Sequence, residues 1–505
     1  MAQVLPFNGF YTSSDPKNSS RECVNYVPMR HDSGSLSEYT LETTEGISES
    51  VATDGKSWTG RSFSWSVDTG SGISLSAFLP VYDTDKFKLL KTSSGTTIDS
   101  FDVFTVDSFP INAKVISSSN NNTIAMACEY SGLTSSGQKL VSINADLDVE
   151  ATGDVPTDVR FGDMAYLGDR FIYMAKSEAS TNKPIKIFYS DILDPTVIDS
   201  LSYFSDISQP TRTTGIHVLN NRLYVFSEEG YSVWSNTPDV NLPFIIQKGS
   251  SGSVGLLNSD AKTELGGTLY FAGVSDGTTS LYSLSPSGIS KLGNDAIEND
   301  LSQEDSITAF SFRHSNRDFI CLNGEQTICY DISTGEFHKR SIFDRGFNKE
   351  VAWPIKDSET IGDKNIVFGQ YDLDYSEVII SKFDKSIGTE LGATINRKLV
   401  TSPFNSNGAS NLVRELAFQT SVDYSSGAPV SLPSLELSVS KNFGYDYGTV
   451  KTQEFDSNGD HGKILRFMNI GFFRQAFVFK LETSTIYPHN ILKMLVRLEK
   501  GFRQI

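Results

Sequence analysis

A chain of 505 residues carrying a formal charge of −18 exceeds the size at which one hydrophobic core keeps growing, so several domains or a ring of repeated sheets is required. The acidic balance excludes a sequence-independent grip on nucleic acid, because such binding draws its affinity from Lys and Arg neutralising phosphates. Its 33 Phe and 20 Tyr stand among stretches rich in Ser, Thr, Gly and Asn, the composition of an all-β chain, and its four cysteines are too few for a disulfide scaffold.

The opening MAQVLPFNGF has neither a basic nor an apolar signal region, and no apolar run reaches 18 residues, so neither secretion nor a membrane span is expected. Residues 1–45 read as an extended N-terminal arm. From 46 to 395 one pattern returns: an apolar β run reaching an aromatic or apolar residue, then a turn rich in Asp, Ser, Pro and Gly. Its anchors are Tyr82, Ile143, Tyr189, Trp234, Tyr282, Tyr330 and Phe383, at intervals of 61, 46, 45, 48, 48 and 53 residues. A four-stranded propeller blade takes roughly 40 to 50 residues. A sheet apolar on both faces is unstable alone, and radial stacking buries both. The period therefore predicts a β-propeller and leaves six or seven blades open.

Within it, Asp318–Leu322, Asn323-Gly324 and Glu325–Tyr330 read as a hairpin on a two-residue turn. In that register Cys321 faces Gln326, both sheet faces are apolar, and Cys321 and Cys329 point opposite ways. With Cys23 and Cys128 they are expected as free thiols of a reducing cytoplasm.

After about 395 the period stops. A passage rich in Pro, Ser and Asn (Thr401–Gly408) leads to strands at Leu435–Ser440, Leu465–Ile470, Ala476–Leu481 and Ile491–Leu498, which predict a C-terminal β-sandwich over 396–505. Its charge changes sign: His461 to Ile505 holds eight basic and two acidic residues, so this stretch is +6 while the rest of an overall −18 is −24. Such asymmetry suits a docking surface for an acidic partner or a neighbouring subunit. Arg466, Arg474, Lys493, Arg497, Lys500 and Arg503 are the docking candidates.

Catalytic and ligand motifs fail at the positions their chemistry needs. Asp54-Gly55-Lys56-Ser57 ends like a phosphate loop, but its first glycine would fall at Ser50. Asp456–Asp460 opens like a calcium loop, yet His461 stands at the sixth position and Phe467 at the twelfth. No GxSxG, HExxH or GxGxxG is present, and the six histidines are dispersed. No catalytic, cofactor-binding or metal residue is therefore nominated. Paired carboxylates could still serve as glycosidase acid and base, which keeps a carbohydrate-binding or glycan-degrading propeller as the alternative. Ser440-Lys-Asn442-Phe-Gly444-Tyr-Asp-Tyr447 resembles the Asp-box hairpin of sialidases, a folding staple away from their chemistry.

The order of several degenerate segments resembles the packaged-DNA stabilisation proteins, or tail hubs and nozzles, of short-tailed bacteriophages. They are Ser20–Pro28 with Asn25-Tyr26, Asn221–Trp234, Pro243-Phe244, Gln247–Gly249, Ile289–Glu298, Tyr330–Gly335, Leu437–Ser440, and Gly471–Arg474 before Phe477 and Phe479. The resemblance implies a non-enzymatic virion tail protein that is assembled in the host bacterial cytoplasm. It implies a homo-oligomer, a hexamer, below portal and adaptor proteins and above tail fibres, a needle or a gate protein. DNA would pass its channel without sequence-specific binding.

Overall fold

In a computed structural model the chain is described over residues 2–500 except 6–21, 32–38, 48–52, 55, 69–72, 84, 106–108, 118–121, 132–135, 177–184, 207, 209–210, 315–316, 345–348, 371–376, 385, 406–410, 425–431, 456–462 and 475. The Asp456–Asp460 turn and Arg503 lie outside the described residues. Among those described, the fold is strand throughout apart from one helix, Asp295–Leu301. Asn294 caps it by accepting from the N–H groups of Ala296 and Ile297.

Seven antiparallel meanders follow one another. Blade 1 comprises Lys56–Trp58 with Phe63–Asp68, then Ile73–Asp83, Lys86–Thr92 and Asp99–Thr105. Blades 2, 3 and 4 each hold four strands, from Phe109–Ser117 to Val149–Asp154, from Phe161–Leu167 to Tyr203–Ser205, and from Thr213–Leu219 to Phe244–Ile246. Blade 5 starts with the split pair Gly255–Leu256 and Lys262–Leu265 and ends at Gly288–Lys291, and blade 6 runs from Thr308–His314 to Phe337–Asp344. Blade 7 has three strands of its own, Ile355–Ile361, Lys364–Gln370 and Glu377–Asp384. Its fourth side is covered from the other end of the chain: Thr53 and Asp54 pair with Val378 and Glu377, and Ile47 pairs with Phe383. The segment that closes blade 7 runs directly into the first strand of blade 1, so one stretch of backbone locks the wheel.

The first strands of successive blades lie side by side around the axis. Between blades pack separate apolar layers. One joins Phe226 and Leu256 to Phe271 and Ile297, another joins Trp65 and Phe87 to Ile124 and Val141, and a third joins Ala165 and Ile187 to Val225 and Phe244. Blade packing is close enough that a Cβ on Gly60 of blade 1 would lie 2.0 Å from the Ala113 carbonyl oxygen of blade 2.

The Asn323-Gly324 hairpin differs from its two-residue reading. Cys321 pairs with Cys329, Leu322 with Ile328 and Asn323 with Thr327, leaving a three-residue connection. Tertiary contacts displace the local turn preference: the Asn323 amide donates to the Trp353 and Ile355 carbonyls of the next blade, and Glu304 accepts from the Glu325 N–H. Both faces are apolar, as expected, with Phe319 in one layer and Ile320 and Leu322 in the other. Cys321 and Cys329 share a face and form a disulfide across adjacent strands, Cα to Cα 4.3 Å, which corrects the expectation of four free thiols. Cys23 and Cys128 are buried and free. Alkylation of the unfolded chain without reductant is expected to label two cysteines, and four after reduction; four labels without reductant would contradict the pairing.

Beyond the wheel, two sheets face each other. One orders Tyr26–Arg30, Tyr39–Thr43, His489–Lys500, Asn411–Val422 and Lys463–Phe473, with Ala2–Leu5 beside His489–Lys500. The facing sheet brings together Glu22–Val24, Ala393–Val400, Ala476–Thr485, Ser434–Ser440 and Lys451–Glu454. Leu41, Leu399, Phe418, Leu437, Phe467, Phe479 and Ile491 fill the space between them. Glu22–Val24, Tyr26–Arg30 and Tyr39–Thr43 are thus strands of the same sandwich as the C-terminal segment. The Asp-box-like turn is a staple here too, with the Gly444 N–H donating to Ser440 Oγ at 2.8 Å and the Asp446 N–H to Asn442 Oδ1 at 2.9 Å.

Candidate functional site

The axis of a propeller is where a ligand or a channel would sit, and the first strand of most blades begins there with a bulge. Extra residues interrupt the ladder at Phe161/Asp163, Thr213/Gly215 and Ile355/Asp357, and blades 1 and 5 carry wider interruptions at 59–62 and 257–261. A bulge bends its strand and re-aims its side chains. In blades 3, 5 and 7 it places Asp163, Asp260 and Asp357 toward the centre, where each meets a cation from another blade or from its own bulge.

Arg61 of blade 1 grips Asp357 of blade 7 with both ends of its fork, Nε to Oδ2 at 2.7 Å and Nη2 to Oδ1 at 3.1 Å. The same guanidinium reaches across to the Asp260 and Lys262 carbonyls of blade 5, each at 3.3 Å. Lys114 of blade 2 binds Asp260 at 2.5 Å, and Lys262 of blade 5 binds Asp163 of blade 3 at 2.6 Å. The Arg61–Asp357 pair closes the seam between the adjacent blades 7 and 1, while the other bonds join blades that are not neighbours in the ring and so cross its centre. The carboxylates also staple adjacent blades. Asp163 accepts from the Ile216 N–H and Asp357 from the Ser62 N–H, both at 2.9 Å.

Burial raises the Asp260 carboxyl, but Lys114, Arg61 and Lys262 together hold it below the ordinary carboxylate range. Glu359 behaves oppositely: burial, and then its neighbour Asp357, push its carboxyl from 4.5 up to about 8. It carries a proton at neutral pH. The folded state then binds a proton that the unfolded chain releases, so this contribution is complete below about 4.5 and is lost as pH rises through about 8. Glu359→Gln is expected to flatten the loss of stability over that window, followed by urea unfolding at a series of pH values; an unchanged slope would contradict it.

The remaining space at the axis is small. A cavity of about 260 Å³ lies beside Lys114, Glu129, Lys176, Arg212 and Asp260, and Glu129 is itself paired with Lys176 at 2.9 Å. A larger cleft of about 980 Å³ opens away from the axis, between Glu304, Asn323, Trp353 and Leu391. Among the described residues no cluster of His, Cys, Asp and Glu could hold a metal ion, and no helix is long and apolar enough to cross a membrane.

A second polar cluster joins wheel and sandwich. Asn25 adopts the left-handed backbone (φ 56°), and its amide donates to the Ser341 carbonyl at 3.0 Å and the Asn396 carbonyl at 2.7 Å while accepting from the Ser341 N–H. Next to it, Tyr26 Oη meets His489 Nε2 at 2.8 Å. Burial, and then Arg397, hold the His489 imidazole down to about 3, so it stays neutral. Arg340 and Glu390 form an ion pair at 2.6 Å with each side chain 2% exposed, and the guanidinium lies 3.8 Å over the Trp353 ring.

The docking candidates occupy the outward face and ends of the six-stranded sheet. Ile464, Arg466 and Met468 alternate outward along the edge strand Lys463–Phe473, while Leu465 and Phe467 point into the core. Arg466 binds Glu415 at 2.5 Å, and Arg497 stands opposite Glu415 on the other side, so these two are brought together. Lys493 is half-buried opposite Gln419, and Arg474 is exposed at the end of the edge strand. Lys500 is in its strand opposite Asn411, and no side-chain geometry is described there. Reading by charge alone missed Arg414, which pairs with Glu499, and the exposed Met468 and Phe472 beside it.

These features define the class: a seven-bladed β-propeller, shut at its own axis by ion pairs and bolted to a sandwich built from both parts of the chain. A family model described as bacteriophage P22 Gp10, β-propeller, matches residues 2–372, and the chain belongs to that packaged-DNA stabilisation, or tail hub, family of phage virion proteins. None of the curated proteins matches the sequence. Among solved structures, an exo-β-1,3-galactanase from Phanerochaete chrysosporium with galactose is 12% identical, covering 88% of this chain and 99% of that one at a TM-score of 0.28. The same enzyme with β-1,3-galactotriose gives 11% identity, the same coverages and a TM-score of 0.29. A glycoside hydrolase gives 10% identity, 77% and 98% coverage, and a TM-score of 0.24. At such scores the likeness is loose and says nothing of chemistry.

Proposed function

We propose that several copies of the chain, six on the family pattern, join into a ring below the portal and adaptor, and that the ring retains packaged DNA and guides its ejection. The observation that carries this reading is the plugged axis. Arg61, Lys114 and Lys262 tie blades 1, 2 and 3 to blade 5 across the centre, so a conduit has to run between copies rather than through one wheel. An acidic chain suits that task, since a wall of like charge repels phosphates and lets DNA slide without adhering. The same plug argues against an enzyme: Asp163, Asp260 and Asp357 are each spent on a cation that ties the blades together.

In this reading residues 46–395 are the rigid wall and 396–505 the docking platform, with 1–45 as the arm that ties them. Arg466, Arg474, Lys493, Arg497, Lys500 and Arg503 meet the neighbouring subunit or adaptor, with fibres or a gate below. The protein assembles in the host bacterial cytoplasm and works in the virion. Phage particles made without the chain are expected to package DNA and then lose it, so that the DNase-protected genome falls; protection equal to wild type would contradict the proposal.

A further inference from the structure

The wheel carries an apolar surface that is exposed among the described residues. In blade 3 the connection from the third to the fourth strand carries Ile192, Leu193 and Leu201, and in blade 4 the equivalent connection carries Val240 and Leu242, with Ile245 just beyond. Leu201 is 81% and Val240 71% exposed, values that a large aliphatic side chain in a monomer seldom has in company. The two connections are the equivalent ones of adjacent blades and are linked through the first turn of blade 3. The Leu193 N–H donates to the Asp169 carbonyl, a Cβ on the preceding Gly168 would strike the Asn236 side chain, and Tyr189 and Phe244 stack edge to face at 5.7 Å. The surface is also acidic. Asp191, Asp194, Asp199 and Asp239 punctuate it, and no Lys or Arg occurs from 187 to 211 or from 235 to 246.

Its complement is on the same molecule but out of reach. The outward face of the sandwich sets Met468, Phe472 and Ile464 among Arg466, Arg414 and Arg497, with Glu415 and Glu499 paired to the first two, so it is apolar with an excess of positive charge where the wheel is apolar and acidic. Aromatic, Met and Arg side chains are the ones that anchor protein interfaces. The sandwich is fastened to blade 6 and its continuation through Asn25, Tyr39 and Arg340, three blades round from blade 3. One subunit therefore presents the two faces on opposite flanks. A contact between unlike faces of successive copies is heterologous, and such contacts make a ring when the rotation from copy to copy closes.

We infer that the acidic apolar surface of blades 3 and 4 receives the basic outward sandwich face of the next copy. This rests on the ring reading above and names the two surfaces that make the ring. The test uses the full chain and sedimentation velocity, with circular dichroism to check folding. Asp191→Lys with Asp239→Lys is expected to turn oligomers into folded monomers, as is Arg466→Glu with Arg497→Glu. A chain carrying all four reversals is expected to assemble again, because each contact regains opposite charges. Leu201→Ser with Val240→Ser, which touches no charge, is expected to weaken assembly at least tenfold. Wild-type chain that stays monomeric at any concentration would end the ring reading itself. Wild-type oligomers with undiminished assembly of the patch variants, or no recovery in the fourfold variant, would overturn this inference alone.

Discussion

Asp357→Ala is expected to lower the stability of the wheel by about 3–5 kcal/mol, the range for removing one member of a buried ion pair. Two losses coincide there. The Arg61 guanidinium keeps its charge without its bidentate partner, and the Ser62 N–H of the next blade loses its acceptor. The site also sits at the seam between blade 7 and blade 1, where the ring is locked by a segment from the other end of the chain. Damage there should open the wheel rather than loosen one blade. Asp357→Asn keeps an oxygen for Ser62 and is expected to cost less, about 2 kcal/mol, because the charge is lost but the backbone bond survives. Urea unfolding with a limited-proteolysis readout at residues 46–62 checks both. Equal stability of wild type and Asp357→Ala would mean that the axial bonds do not hold the ring.

The second large effect lies at the joint. Arg340→Ala leaves Glu390 buried without its cation and removes the planar group over Trp353, and it is expected to cost about 3–5 kcal/mol in the same assay. The pair is costly to bury: burial drives the Arg340 pKa down and the Glu390 pKa up, each away from its charged form, and their mutual contact is the largest effect opposing this. Replacing both by apolar residues of similar volume, Arg340→Met with Glu390→Leu, is therefore expected to recover most of the loss. If the double variant were as unstable as Arg340→Ala, the pair would be acting through something other than its own charges, such as the Arg340 bond to the Glu45 carbonyl.

The wheel was legible in the sequence because each blade repeats one physical problem, a sheet apolar on both faces. Of the seven aromatic and apolar anchors, Tyr82 falls in the second strand of its blade and the other six in the third, so their spacing tracks the blades even though the strand assignment shifts. The Asn323-Gly324 turn misled because its residues are spent on tertiary bonds, to Trp353 and Ile355 on one side and Glu304 on the other. The axial network left one unread signal. Asp163, Asp260 and Asp357 recur at equal intervals of two blades, but a carboxylate in a β-rich acidic chain has no local mark that separates it from a turn residue. The pairing of Glu22–Val24, Leu41-Glu42 and Gly46-Ile47 with strands several hundred positions later carries no local pattern either. Asn25-Tyr26 was marked only by family resemblance, and its reason is geometric: a left-handed Asn that bonds wheel and sandwich at once. Charge marked Arg466 and Arg497, which the fold brings together around Glu415, while the exposed Met468 and Phe472 on the same strand carry no charge and were invisible to it.

The central claim is that DNA is held between wheels whose own centres are shut. Electron microscopy of the purified protein tests it most directly. The account predicts a closed ring of copies around an open lumen, with solid density at the hub of every seven-bladed wheel. Separate monomers, or wheels with an open bore through the position of Arg61, Lys114 and Lys262, would contradict it.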